Sequence, residues 1–230
     1  MPLPKPDRDK VNQYVFKHVV PRNIKPRPKT AMEWFVGQFD FIDDPDLRKH
    51  LGEALYQGRY IGRLMEALNL KGAFNNTFLK QQIILYASIY EAVVDHFLSR
   101  STDSRARDVL EATVFKQVGA FNSIAKMTIE HGGVDHPAFV CRKAVIKKTL
   151  KDIRFRDRLQ AAVDIGLAPA SMQSFIEKLY TSRNNIHVIC SAKKDFQPDS
   201  NESSEAFKNM RGFLAHVRRW VIANAGKLKS

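Results

Sequence analysis

Apolar positions recur at helical spacing along most of the chain, and strict apolar–polar alternation is nearly absent. The strongest stretch is TFLKQQIILYASIYEAVVDHFL, residues 77–98. Leu79, Ile83, Tyr86, Tyr90, Val93 and Phe97 form one stripe, and Ile84, Leu85 and Ile89 make the segment apolar nearly all round, the pattern of a central helix. Upstream, Thr30 with Glu33 in capping-box position opens AMEWFVGQF. Asp44 caps, and Pro45 begins, a helix that runs to about Asn69, with a turn region over 69–76. Downstream the pattern predicts helices over about 104–118 and 122–131, then an interruption at Gly132-Gly133 and His136-Pro137. Gly166 is a C-cap and Pro169 opens the next helix, which carries Met172, Phe175, Ile176, Leu179, Ile186 and Ile189 inward. A polar loop over 193–203 precedes a last helix, 204–223, that buries Phe207, Met210, Leu214, Val217 and Val221. Trp34 and Trp220 are expected in the core or an interface.

The fold class that follows is all-α, a helical bundle whose neighbours are antiparallel where the loops are short, with an additional N-terminal helical and proline-rich segment. Three regions are expected: a basic proline-rich arm over 1–30, an N-terminal helical segment over 31–72, and the bundle over 73–230. In the arm, Pro4, Pro6, Pro21, Pro26 and Pro28 oppose a continuous helix.

Composition narrows the function classes. The 230 residues carry 37 Lys+Arg against 24 Asp+Glu, a formal net charge of +13, which makes nucleic acid the first partner to weigh. There is no apolar run long enough to span a membrane and no secretory h-region at the N-terminus. The two cysteines exclude a disulfide scaffold or a Cys-based zinc site, and point to a reducing, cytoplasmic setting. Seven dispersed histidines, with no His-Glu-x-x-His and no Gly-rich phosphate loop, give no metal site and no cofactor. The densest basic stretch holds Arg142, Lys143, Lys147, Lys148, Lys151, Arg154, Arg156 and Arg158, with Val145, Ile146, Leu150 and Ile153 between them. It reads as an amphipathic helix with a solvated basic face, or as a phosphate-guiding surface; Arg142 to Arg154 are the candidate nucleic-acid contacts.

One polar cluster stands out in an apolar frame: Ser182-Arg183-Asn184-Asn185-Ile186-His187, flanked by Leu179, Tyr180, Val188 and Ile189. Four residues apart, Arg183 and His187 share one helix face. An arginine grips a phosphate bidentately, and a histidine gives or takes a proton near neutral pH. That pair is sufficient for metal-free RNA cleavage, in which a base deprotonates the ribose 2′-OH and a cation stabilises the developing charge. Asn184 is placed to donate to a phosphate oxygen or hold the imidazole. The alternatives are a chance helical pair, or a helix that ends at Asn184-Asn185 with Ile186 to Cys190 as a short strand. Glu91 and Asp95, four apart on the central helix, are either an ion-paired edge or, for Glu91, a partner that orients Arg183. Tyr180, three residues before Arg183, stacks on a base or packs.

LYTSRNNIHV resembles the Arg-Asn-x-x-His variants near the last helices of HEPN-fold proteins (higher eukaryotes and prokaryotes nucleotide-binding domain). The layout over about 77–225 is similar as well, from ILYASIYEAVVDHFL through IRFRDRLQAAVDIGLAP to a closing helix ending VRRWV. The family pattern has four to six residues between Arg and His, whereas here there are three, which turns His187 by about 100° on a helix. The resemblance implies a helical bundle that dimerises so that two motif copies build one site. It implies a metal-independent endoribonuclease of toxin–antitoxin or phage-defence type, with Arg183, His187 and Asn184 catalytic and Glu91 and Tyr180 supporting. RNA, a second copy of the chain, and an antitoxin or other protein are the implied partners. Members that have lost catalysis serve as binding modules, the alternative function.

Overall fold

The computed structural model describes residues 31–118, 128–131, 134–137, 141–186 and 197–228, together with positions 6, 9, 10, 13 and 14. Seven α-helices are present among the described residues. They are α1 (Ala31–Gly37), α2 (Pro45–Leu68), α3 (Gly72–Arg100), α4 (Ser104–Leu110), α5 (Phe155–Asp164), α6 (Gln173–Asn185) and α7 (Ser200–Ala223). The all-α reading holds. Among the described residues no helix is long and apolar enough to cross a membrane.

Local chemistry sets the boundaries. Asp44 accepts from the backbone N–H of Asp46 and Leu47, so α2 starts where the Asp-Pro pair placed it. It stops at Asn69, whose φ of 47° is left-handed, a conformation asparagine tolerates better than most residues. The chain then turns within three residues into α3, which begins before the expected 77 and absorbs most of the predicted turn. Gly166, at φ 78°, follows the end of α5 as a left-handed cap. The capping box at Thr30 lies outside the described residues.

Helix α3 is the hub and touches α2, α4, α5, α6 and α7. Ile83, Ile89, Tyr90, Val93, Val94 and Leu98 on it are fully buried. One continuous core joins them to Phe35, Phe39 and Ile42 near α1, to Leu159 and Ala162 on α5, and to Met210, Phe213 and Val217 on α7. Tyr90 places its hydroxyl on the Ala206 carbonyl at 3.1 Å, so its polar end is satisfied inside that core. Trp34 and Trp220 pack against the core from its margin, and the Trp220 indole donates to the Ile165 carbonyl at 2.9 Å.

Between α4 and α5 the structure departs from the sequence reading. The helix expected over 104–118 ends at Leu110, and the chain continues as strand β1 (Glu111–Gln117). The helix expected over 122–131 is replaced at its end by β2 (Thr128–His131), which pairs with β3 (Val134–Pro137). The basic stretch is not one amphipathic helix: β4 (Cys141–Lys147) pairs antiparallel with β1, a single 3-10 turn covers Leu150–Asp152, and α5 follows. The cause is long-range. β1 and β4 satisfy each other's backbone across an intervening segment, a pairing that helical periodicity over a short window does not register.

Candidate functional site

Three helices assemble a charged site on one side of α3. Glu91 and Asp95 lie one turn apart on α3, Arg158 comes from α5 and Arg183 from the last turn of α6. Arg158 is 6% exposed, and its Nη2 donates to Glu91 Oε1 at 3.0 Å while its Nη1 donates to Asp95. Arg183 Nη1 donates to the other Glu91 oxygen, so Glu91 bridges two arginines. Burial works against the charge of Arg158, and the carboxylates of Asp95 and Glu91 outweigh it, raising its pKa above the usual arginine value. Asp95 Oδ1 and Arg158 Nε are buried with no hydrogen-bond partner among the described residues.

Aromatic rings complete the frame. Phe155 and Tyr180 stack with centroids 4.3 Å apart. The Arg158 guanidinium lies 5.3 Å from the Phe155 centroid, and that of Arg183 lies 5.3 Å from the Tyr180 centroid. Tyr180 packs against Phe155 and Arg183 in this frame. Its ring and that of Phe155 form part of a hollow of about 300 Å³, whose rim carries Arg154, Arg156, Glu177 and Asn184. Asn184 is exposed there, next to an Arg183 side chain that keeps 27% of its surface open.

Of the sequence candidates, Arg183, Asn184, Tyr180, Glu91 and Arg154 are thus gathered at one site. His187 lies outside the described residues. Arg142, Lys143, Lys147 and Lys148 run along and just past β4, and Lys151 sits in the 3-10 turn; all five are exposed. Arg158 was legible only as one charge in a basic run. The signal for its burial is its place in FRDRLQAAV, where it shares a stripe with Phe155, Leu159 and Ala162, all of them buried. The helix α6 runs to Asn185 with Ile186 as its C-cap, and the residues past Ile186 that would separate the shared-face reading from the helix-end reading lie outside the described residues. Comparisons of the chain with protein-family models, with curated proteins and with solved structures give no match.

Proposed function

We propose that the chain is an HEPN-like, metal-independent endoribonuclease that works as a homodimer. The observation that supports this reading is the bond that Arg183 on the motif helix donates to Glu91 on the central helix, the orienting contact the resemblance implies. Glu91 holds one edge of the guanidinium, which leaves its remaining N–H groups for the scissile phosphate, with Asn184 beside it. In the reaction the ribose 2′-oxygen loses its proton to a base and forms a bond to phosphorus. The bond from phosphorus to the 5′-oxygen breaks, and that oxygen takes a proton as it leaves. His187 of one protomer is the base, and the same residue of the second protomer supplies the leaving-group proton. The products are a 2′,3′-cyclic phosphate and a 5′-hydroxyl.

The test is incubation with single-stranded RNA in EDTA, with the ends of the products analysed. His187→Ala removes both the base and the acid of the homodimer, so it is expected to lower the cleavage rate by more than the roughly 10²–10⁴-fold of one lost proton-transfer group, with RNA affinity retained. Arg183→Lys should cost both rate and affinity, because the arginine contacts the phosphate in ground and transition states alike. A wild-type chain that binds RNA but leaves it intact overturns the nuclease reading in favour of a non-catalytic HEPN-like binding module. The shortened Arg-to-His spacing is the observation that favours that second reading.

A further inference from the structure

The β1–β4 ribbon is a second, separate surface. Its register pairs Glu111 with Lys147, Thr113 with Val145, and Phe115 with Lys143. Directly paired residues lie on one face and neighbours alternate, so these six share a face, while Ala112, Val114, Lys116, Arg142, Ala144 and Ile146 occupy the other. Both faces reach solvent, and the first is the more open, since Ala112, Val114 and Ala144 on the second are partly covered. Phe115 is 73% exposed and Val145 62%, and Thr113, Lys143 and Lys147 are exposed with them. At seven residues per strand the ribbon is about 24 Å long. At its root Lys147 and Lys148 meet Arg107 and Ser99 around a hollow of about 160 Å³.

We infer that this ribbon binds single-stranded RNA, with Phe115 stacking on an unpaired base, and with Lys143, directly across from it, and Lys147, further along β4, contacting successive stretches of the phosphate backbone. Two observations decide the occupant. An aromatic side chain held this far into solvent offers a whole ring face, the platform on which any base stacks. Charge then separates RNA from a protein partner. Residues 111–117 and 141–148 carry Lys116, Arg142, Lys143, Lys147 and Lys148 against the single carboxylate of Glu111. Protein–protein interface cores are depleted in lysine, because each buried ammonium must be desolvated, whereas a phosphate backbone recruits it. The apolar pair Phe115 and Val145 is small and shares its face with the cations Lys143 and Lys147, which a protein contact would have to desolvate. The proposal rests on the RNA substrate class proposed above but not on cleavage, since the ribbon lies on elements that contribute nothing to the Glu91–Arg183 site.

The test uses the full-length chain and a fluorescent, short 2′-O-methyl oligouridylate, which lacks the attacking hydroxyl and cannot be cut. Binding is followed by anisotropy across a salt series, and oligomeric state by sedimentation velocity. Phe115→Ala should raise Kd by roughly 5- to 150-fold, the loss of one base–aromatic stack, with the melting temperature unchanged. Phe115→Tyr should restore affinity. Lys143→Gln with Lys147→Gln should make the log–log salt slope shallower by about 1.4, two phosphate contacts at about 0.7 each for a single strand. Unchanged binding by the Phe115→Ala chain overturns the proposal, as does a wild-type chain that fails to bind at low salt. A Phe115→Ala chain that shifts from dimer to monomer while its affinity holds makes the ribbon a protein interface instead, and also overturns it. Retained cleavage of ordinary RNA by a chain whose ribbon fails this test would leave the nuclease reading standing. Tight ribbon binding by a chain that cuts nothing would do the reverse.

Discussion

At the scale of single residues the decisive contact is a carboxylate shared by two arginines. Glu91 gives one oxygen to Arg158 and the other to Arg183, and Asp95 holds the second arm of Arg158. Arg158 is the structural member, because its side chain is almost wholly enclosed. Removing it leaves Glu91 and Asp95 facing each other in a poorly solvated site, so Arg158→Ala should cost about 3–5 kcal/mol in urea denaturation, the usual penalty for an uncompensated buried charge. Glu91→Gln should behave differently. Arg158 keeps Asp95 and the amide oxygen still accepts from an arginine, so the stability loss should be smaller, while Arg183 loses its charged anchor. The expected signature is a fall in RNA cleavage or affinity larger than the fall in stability explains, and a Glu91→Gln chain that unfolds as readily as Arg158→Ala would count against a positioning role. Glu91 was legible in the sequence because two carboxylates in an apolar helix demand partners. Arg158 was not, because seven neighbouring cations masked the one that turns inward.

At the scale of elements, packing distance explains why the same substitution should have opposite signs at two positions. A Cβ at Gly52 would lie 2.7 Å from both Cα and Cγ2 of Val36, so α1 and α2 touch through that glycine. Gly52→Ala forces the two helices apart, and overpacking of about 1–3 kcal/mol should outweigh the gain of up to about 1 kcal/mol in helix propensity. Gly212 lies inside α7, exposed, with nothing within 4 Å of where an added Cβ would stand. There Gly212→Ala should stabilise by about 0.5–1 kcal/mol, because only backbone entropy changes. Thermal melts of the two variants check both signs, and a stabilised Gly52→Ala chain would show that α1 does not pack as described. The helices themselves were readable from stripe, cap and breaker: Asp44-Pro45 opens α2, Gly166 follows α5, and Met210, Leu214 and Val217 face inward from α7. The β1–β4 ribbon was not. Its strands carry no alternation strong enough to mark a buried face, because Phe115 and Val145 lie on the more open face.

At the scale of the whole molecule, a net charge of +13 sets two salt dependences against each other. Excess like charge repels itself in the folded chain, and added salt screens that repulsion over roughly 10 Å at 0.1 M. The exposed ion pairs that salt would weaken, such as Arg63 with Glu66 and Arg218 with Asp40, are worth little each. The Glu91–Asp95–Arg158 group is largely enclosed, so screening reaches it least. Raising sodium chloride from low to physiological concentration should therefore raise the melting temperature. The same change should weaken RNA binding steeply, since each phosphate neutralised releases counterions whose return salt opposes. The two curves have opposite slopes only if the excess charge is spread over the surface and free to meet phosphate. A melting temperature that falls with salt would mean that surface ion pairs dominate the folded state. An RNA affinity indifferent to salt would mean that the basic side chains of the ribbon and of the Arg183 site meet no phosphate at all.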